Sequence, residues 1–400
     1  MKAVILAAGK GTRMGPLCAT RPKPMLPVLN KPIMYWNMDS MHKFVDGYVI
    51  VVGYKGQIIK EYFGNSFKGK PIEYVEQKEQ LGTAHCLMLV EGKTSSKFFF
   101  MMGDDFYDKT CFEKLAKYDN GLLCKTVEDP RNFGVVEHEN GKLTNIVEKP
   151  EHPKSNLISI GLYVLTDKIF KEDLKNIKRS SRGELEIADA VLPLSKKTRV
   201  EVLITENGWT PMSFPWSVLG ANETKIKEMK GSIDKTATIE KGATLKGEVF
   251  VGPKTIVKSG AYIEGPVYIG ANCNIGPNCF LRAGTVIGDG CHVGNSVEIK
   301  NSVLFGNVKV CHLTYLGDSL IGYNCNLGAG TITANLRFDD DPVKVNIKGL
   351  RLSSERRKLG TIMGDGVKTG INTSIMPGVC IAEGSIVDAH SLVKSDINYF

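Results

Sequence analysis

The chain has 400 residues, of which 42% are apolar and 24% are charged. This length exceeds what a single hydrophobic core normally serves, and the composition excludes an intrinsically disordered chain. The net charge of +8 is spread over the sequence without a long Lys/Arg run, so we expect phosphorylated small molecules rather than nucleic acid as ligands.

Cysteine spacing and the apolar runs bear on further protein classes. The ten cysteines form no CxxC pair and no His-spaced cluster, so we expect neither a zinc site nor a disulfide framework. The apolar stretch at the N-terminus is too short for a signal peptide, and no 18-residue apolar run occurs. We therefore expect a cytoplasmic protein with no membrane partner.

The first predicted domain covers residues 1–229, where short apolar runs alternate with amphipathic stretches. This alternation predicts an α/β domain with a mostly parallel sheet and a ligand site at the carboxyl ends of its strands. The predicted strands contain residues 3–6, 47–52, 97–102, 121–127 and 158–165.

A glycine-rich turn follows the first predicted strand, where residues 6–14 read LAAGKGTRM. Such a turn lets backbone amides approach phosphate oxygens, although alone it is a weak signal. Residues 21–27 then read RPKPMLP. Together the two segments resemble the nucleoside-triphosphate motif of the sugar nucleotidyltransferase superfamily, which implies a Rossmann-like domain.

The resemblance assigns Arg13 and Lys23 to catalysis, because two anionic substrates can react only if fixed cations and a metal neutralise them. The alternative is that both are solvated surface charges. The resemblance also implies a nucleotide site formed by Leu6, Ala8, Gly9, Gly11, Gln77, Gly82 and Thr83.

Gln77 and the QLGTA segment at residues 80–84 resemble the base-reading loop of the pyrimidine-specific branch. A glutamine amide can pair with the imide edge of uracil or thymine. UTP and dTTP present the same edge, so the choice between them stays open. The alternative is that Gln77 is exposed at a strand end.

Asp104 follows an apolar run, and its carboxylate is a suitable ligand for Mg²⁺. Strand alternation predicts that Asp105 points the opposite way. Pro211 stands where many relatives carry a second metal-binding Asp. Because residues 218–222 resemble a segment of N-acetylglucosamine-1-phosphate uridylyltransferases, we assign Asn222 as the second ligand. The resemblance places the sugar phosphate against Gly134, Glu148, Lys149 and Ser159.

The second predicted domain covers residues 230–400 and has a six-residue period. Such a period with adjacent glycines predicts a hexapeptide-repeat β-helix, and the family that it resembles winds left-handed and forms trimers. The apolar positions are Ile233, Ile239, Leu245, Val251, Val257, Ile263, Ile269, Ile275, Leu281, Ile287, Val293, Ile299 and Phe305, after which the phase slips.

Residues 336–359 interrupt this period with a charged insertion. We expect the insertion to be functional and to reach an adjacent subunit, with an unstructured surface loop as the alternative.

Residues 312–318 read HLTYLGD and residues 326–335 read NLGAGTITAN. These segments resemble the acetyltransferase half of the bifunctional glucosamine-1-phosphate acetyltransferase and uridylyltransferase family, in its archaeal branch. An attacking amine must lose a proton, and His312 has the residue type for that base. The resemblance implies sugar-phosphate contacts from Arg282, Lys300, Tyr315, Asn326 and Asn335, and acetyl-CoA near Ala329; Ile371 stands where bacterial relatives carry Ser.

The expected function is therefore acetylation of glucosamine 1-phosphate followed by Mg²⁺-dependent uridylyl transfer from UTP, with galactosamine not excluded as the sugar. One alternative is a glucose-1-phosphate thymidylyl- or uridylyltransferase with a purely structural β-helix. Another is a non-catalytic regulatory subunit, although such subunits usually degrade the phosphate loop that is present here.

Overall fold

The computed structural model describes residues 1–171, 174, 177–180 and 182–399. The chain forms two compact units. The first contains Met1–Lys10, Pro22–Met25 and Ile33–Pro211; the second contains Gly11–Arg21, Leu26–Pro32 and Met212–Phe400. The signature segment at residues 6–27 therefore contributes residues to both units.

The first unit is built on a ten-stranded sheet, and the five predicted runs lie in its strands except for Val127, which follows the strand that ends at Thr126. Lys2–Ala7 runs parallel to both Gly47–Val52 and Lys97–Met102. In spatial order the strands are Gly134–Glu139, Lys142–Glu148, Glu201–Ile204, Gly121–Thr126, Leu157–Thr166, Lys97–Met102, Lys2–Ala7, Gly47–Val52, Lys70–Glu76 and Ser66–Phe67.

The sheet is mixed, so the expectation of a mostly parallel sheet is wrong. Leu157–Thr166 runs antiparallel to both of its long neighbours, Lys97–Met102 and Gly121–Thr126. Gly134–Glu139 and Lys142–Glu148 form an antiparallel hairpin. A tight turn can join antiparallel strands, whereas parallel strands need a long crossover.

Helices cover the sheet, and alternate residues of its central strands enter different apolar clusters. Ile5 and Phe99 belong to one cluster, while Val4 and Phe98 belong to the other. Burial on both faces explains why these strands are apolar throughout. The α-helices are Ile33–Met41, Gly56–Phe63, Thr83–Leu89, Lys109–Leu115 and Ile187–Lys197. Short 3₁₀ turns occur at Lys23–Met25, His42–Phe44 and Asp167–Lys171. A separate pair of short antiparallel strands is formed by Phe106–Tyr107 and Trp209–Thr210.

The second unit contains three eight-stranded parallel sheets, each formed by every third strand of the repeat region. This arrangement is that of a left-handed parallel β-helix with three strands in each coil, and the predicted fold class is confirmed. The first sheet comprises Ser232–Ile233, Val249–Val251, Val267–Ile269, Val286–Ile287, Val303–Leu304, Leu320–Ile321, Ile362–Met363 and Cys380–Ile381.

The other two sheets follow the same spacing. The second comprises Thr238–Ile239, Ile256–Val257, Asn274–Ile275, His292–Asn295, Lys309–His312, Asn326–Leu327, Lys368–Thr369 and Ile386–Val387. The third comprises Thr244–Lys246, Tyr262–Glu264, Phe280–Leu281, Glu298–Lys300, Tyr315–Gly317, Ile332–Thr333, Ser374–Ile375 and Leu392–Val393.

The phase of the repeat slips one residue earlier than the sequence predicts. Ile287 pairs with Leu304, which joins the aliphatic core, so the assignment of Phe305 to that core column is wrong. Phe305 is buried instead against Tyr323, with ring centroids 5.5 Å apart. The coil is one residue short here, and the strand register decides which side chain enters the core.

The insertion at residues 336–359 contains an antiparallel hairpin, Lys344–Ile347 with Leu350–Ser353. Its residues Val343, Val345 and Ile347 are buried. The alternative of an unstructured loop is therefore wrong, while a contact with an adjacent subunit stays a prediction.

The second unit also includes the 3₁₀ segment Thr12–Cys18, the strand pair Pro27–Val28 with Lys31–Pro32, and the helix Trp216–Lys227. Across the part of the chain that the structure describes, no helix is both long and apolar enough to cross a membrane.

We expect Ile287→Ala to destabilise the β-helix by about 2–5 kcal/mol, because it leaves a cavity among stacked aliphatic side chains. Ile287 is fully buried, whereas Ile386 on the neighbouring sheet is 72% exposed. Thermal unfolding followed by calorimetry should show a lower midpoint for Ile287→Ala and almost no change for Ile386→Ala. Equal midpoints for the two variants would contradict the core assignment.

Candidate active sites

The carboxyl ends of three adjacent parallel strands approach one another closely in the first unit. Gly103 donates its N–H to the Leu6 carbonyl at 2.8 Å. A β-carbon on Gly103 would lie 2.8 Å from the same oxygen, and one on Gly53 would lie 2.8 Å from the Ala8 carbonyl. Glycine is required at both positions because the backbones leave no room for a side chain. The predicted nucleotide residues Leu6, Ala8 and Gly9 lie at this edge of the sheet.

Lys23 is buried and faces two carboxylates. Its Nζ lies 2.9 Å from Asp104 Oδ2 and 3.6 Å from Asp105 Oδ1. Trp209 Nε1 donates to Asp105 Oδ2 at 3.1 Å. The expectation that the two carboxylates point in opposite directions is wrong, because the strand ends at Met102 and both residues lie in the turn that follows. Lys23 is not a solvated surface charge.

Gln77 is 5% exposed, so the alternative of an exposed strand end is wrong. Its Nε2 lies 3.2 Å from the Gly82 carbonyl and 3.1 Å from His85 Nδ1. A β-carbon on Gly82 would collide with the Leu185 carbonyl, so glycine is required there. Thr83 Oγ1 accepts a hydrogen bond from Ile187 N at 2.8 Å. These contacts bring Gln77, Gly82 and Thr83 together in one ordered turn.

The predicted sugar-phosphate residues of the first unit are also neighbours. Gly134 pairs with Glu148 in one ladder and with Ser159 in another. Lys149 Nζ lies 3.5 Å from Glu148 Oε1. Arg182, which the sequence analysis missed, lies 3.7 Å from the same oxygen. Burial raises the pKa of Glu148, and the neighbouring cations oppose that shift.

Gly11, Arg13 and Asn222 belong to the second unit. Arg13 is exposed, with its guanidinium carbon 5.9 Å from the centroid of the Phe214 ring. Asn222 is buried; its Oδ1 accepts from Leu29 N at 2.8 Å and its Nδ2 donates to the Val218 carbonyl at 2.8 Å. These contacts give the Asn222 amide a structural role, and its assignment as a metal ligand stays a prediction.

A polar cluster joins successive coils of the β-helix around Asp318, whose side chain is 3% exposed. Lys300 Nζ lies 3.1 Å from Asp318 Oδ2, and Asn335 Nδ2 donates to the same oxygen at 2.5 Å. Asn335 Nδ2 also lies 3.4 Å from Tyr315 Oη. Arg282 Nη1 donates to Glu298 Oε1 at 2.8 Å, and Glu298 pairs with Tyr315 in the strand register. Four of the predicted sugar-phosphate residues, Arg282, Lys300, Tyr315 and Asn335, thus share one sheet or the turn beyond it.

His312 and Asn326 lie on adjacent strands of the neighbouring sheet, and both are exposed. The His312 carbonyl accepts from Gly330 N at 3.4 Å, which places the predicted cofactor residue Ala329 close to it along the chain. Ile371 is half-exposed. Asn326 therefore lies on the sheet of His312, apart from the strands that carry the other predicted sugar contacts.

No role was predicted from the sequence for Asp318, Glu298, Arg182 or Asp105, although each contacts a predicted site residue. Asp318 is the last residue of the HLTYLGD segment, so the sequence did contain a signal that could have identified it as a site residue. The contact of Arg182 with Glu148 has no signal in the sequence, because 34 positions separate them and only the fold brings them together.

Parts of the chain match two known families. Residues 2–227 match the family described as nucleotidyl transferase, and residues 263–370 match the GMPPB C-terminal domain. A solved UDP-glucose pyrophosphorylase in complex with UDP-glucose superposes with a TM-score of 0.51 at 25% identity, over 57% of this chain and 99% of that chain.

Two curated relatives are similar over nearly the whole chain. The bifunctional protein GlmU of Methanococcus maripaludis strain C7 is 46% identical, covering 99% of this chain and 95% of its own length. A bifunctional sugar-1-phosphate nucleotidylyltransferase/acetyltransferase of Sulfurisphaera tokodaii is 39% identical, covering 100% of this chain and 98% of its own. This similarity shows that the chain belongs to the GlmU family of bifunctional nucleotidylyltransferase/acetyltransferase proteins.

Proposed function

We propose that the protein acetylates glucosamine 1-phosphate with acetyl-CoA and then transfers UMP from UTP to N-acetylglucosamine 1-phosphate, releasing pyrophosphate and UDP-N-acetylglucosamine. The observation that carries the proposal is the polar cluster around the buried carboxylate of Asp318. Burying a carboxylate and an ammonium gives a scaffold little net stability, because desolvation offsets their attraction. Such a cluster argues for a ligand site on the β-helix and against a purely structural repeat.

In the nucleotidyl transfer step, Lys23 supplies a positive charge that the fold has already oriented. Its ammonium is fixed by Asp104 and Asp105, so little reorganisation is needed as charge develops on the α-phosphoryl group. Arg13 is exposed and available to the triphosphate. Backbone amides of the glycine-rich turn after Leu6 are suited to the remaining phosphate oxygens.

The residues around Asp104 fit Mg²⁺. The part of the chain described by the structure offers no set of three or more His, Cys, Asp or Glu side chains for a metal. Two convergent carboxylates, Asp104 and Asp105, are nevertheless what Mg²⁺ uses when substrate phosphates complete its shell. When bound, the ion neutralises the triphosphate and the leaving pyrophosphate.

In the acetyl transfer step, His312 takes the proton of the attacking amine. Lys300 and Arg282 bind the sugar phosphate, with Asp318 and Glu298 holding their side chains in position. Tyr315 and Asn335 bind sugar hydroxyls, and Ala329 contacts acetyl-CoA through its backbone. The assembly is a homotrimer through the β-helix, and the enzyme is cytoplasmic.

A coupled assay tests the function directly. Purified protein with glucosamine 1-phosphate, acetyl-CoA, UTP and Mg²⁺ should release both free thiol and pyrophosphate, and N-acetylglucosamine 1-phosphate should give pyrophosphate without acetyl-CoA. Pyrophosphate from glucose 1-phosphate without any thiol release would instead support the pyrophosphorylase with a structural β-helix. Absence of both products would support the regulatory subunit.

We expect Asp104→Asn to lower Mg²⁺-dependent pyrophosphate release by at least about 100-fold, because the amide cannot supply the anionic ligand. The amide is isosteric, so the turn after Met102 should be retained. Thiol release should continue at the normal rate in the same preparation, which serves as the control for folding. Normal uridylyl transfer by this variant would show that the metal is held elsewhere.

We expect His312→Ala to lower thiol release by about 100-fold or more, because the variant lacks the proposed general base. Pyrophosphate release from N-acetylglucosamine 1-phosphate should stay within twofold of normal. His152→Ala removes an exposed histidine of the first unit and should leave both activities intact. Loss of both activities in a folded His312→Ala protein would refute the assignment.

A further inference from the structure

Arg21 opens the RPKPMLP motif, and the proposed mechanism gives it no role. Its side chain is 12% exposed and pairs with Asp365 of the β-helix, 15% exposed, within the second unit. Arg21 Nη1 donates to Asp365 Oδ1 at 3.2 Å and Nη2 donates to Oδ2, so the pair is bidentate. Pairs of this geometry are the strongest hydrogen-bonded ion pairs available to side chains.

Asp365 is itself fixed by further donors. Thr20 Oγ1 donates to Oδ2 at 2.7 Å, and the Tyr323 backbone N–H donates to Oδ1 at 2.9 Å. A β-carbon on Gly322 would lie 2.7 Å from Asp365 Oδ1, so glycine at 322 makes room for the carboxylate. The β-helix therefore holds the Asp365 carboxylate in a fixed position where it binds the Arg21 guanidinium.

Two aromatic rings also contact the Arg21 guanidinium. The guanidinium carbon of Arg21 lies 4.3 Å from the Tyr323 ring centroid and 5.9 Å from that of Phe305. Because the repeat slips by one residue, Leu304 occupies the core position that the period predicts for Phe305, and the Phe305 ring lies outside that core. Cation–π contacts favour a guanidinium over a neutral side chain here.

Two segments of the N-terminal part of the chain, Gly11–Arg21 and Leu26–Pro32, belong to the second unit and contact the β-helix. In the first, the residues Thr12–Cys18, which include Arg13, pack against the strands Ile362–Met363 and Cys380–Ile381. In the second, Asn30 Nδ2 donates to Asp289 Oδ1 at 2.8 Å. Arg21 is the last residue of the first segment.

We propose that Asp365 is a positioning residue for nucleotidyl transfer, acting through Arg21 on the segment Gly11–Arg21, which carries Arg13. This inference rests on the nucleotidyl transfer proposed above. It assigns to a residue of the repeat region a task in the reaction of the other half of the sequence. Arg21 is on this account an anchor and not a phosphate ligand.

The test compares Asp365→Asn with the wild-type enzyme in both activities. The amide keeps the shape of the carboxylate but loses the charge that holds Arg21. We expect kcat for pyrophosphate release to fall by about tenfold or more, since small displacements of catalytic groups are costly, while thiol release stays within twofold. Glu228→Gln is the control: it breaks an exposed Lys–Glu pair of the same unit and should change neither activity.

A double-mutant cycle separates positioning from general destabilisation. If Asp365 acts through Arg21, the double variant Arg21→Ala with Asp365→Ala should lose no more pyrophosphate release than either single variant. Additive losses, equal loss of both activities, or unchanged pyrophosphate release in Asp365→Asn would each overturn the proposal.

Hydrogen exchange measured by mass spectrometry gives a readout that does not depend on turnover. Peptides covering residues 12–25 should exchange faster in Asp365→Asn than in the wild-type protein, and not in Glu228→Gln. Unchanged exchange would overturn the anchor. A wild-type protein that releases no pyrophosphate would instead refute the proposed function, and the exchange measurement would still decide whether Asp365 holds the segment.

Discussion

The in-register stacking of β-helix coils is the constraint on which the polar cluster around Asp318 depends. Each strand bonds to the equivalent strand of the next coil, so residues one coil apart in sequence become neighbours. Leu281 pairs with Ile299, 18 positions later, and Ile299 pairs with Leu316, 17 positions later. A polar cluster can therefore be assembled from single residues of successive coils, with no loop to hold them.

This constraint also explains why a shift of one residue matters. The short coil that brings Leu304 into the core displaces Phe305, which then packs against Tyr323. The repeat thereby gains an aromatic surface at a place where a perfectly periodic coil would have only another core residue. The Arg21 guanidinium packs against these two rings, so the irregularity in the repeat provides a contact for the signature segment.

In the first unit, the close approach of parallel strand ends brings the predicted site residues together. Glycines at 53 and 103 let the backbone of neighbouring strands nearly touch at the edge where Ala8 lies. Burying Lys23 at this edge is unfavourable unless a counter-charge accompanies it, and Asp104 and Asp105 supply that charge.

The sequence alone determined the features that depend on spacing along the chain. The six-residue period specified the β-helix, the apolar runs specified the central strands, and the LAAGKGTRM and RPKPMLP segments indicated phosphate chemistry. Local pattern carries this information because strand period and loop composition are local properties. Tertiary structure decided which charged groups meet across long separations: Arg182 with Glu148, Asp318 with Lys300, and Asp365 with Arg21. Such pairs follow from strand register and packing, which no window of the sequence contains.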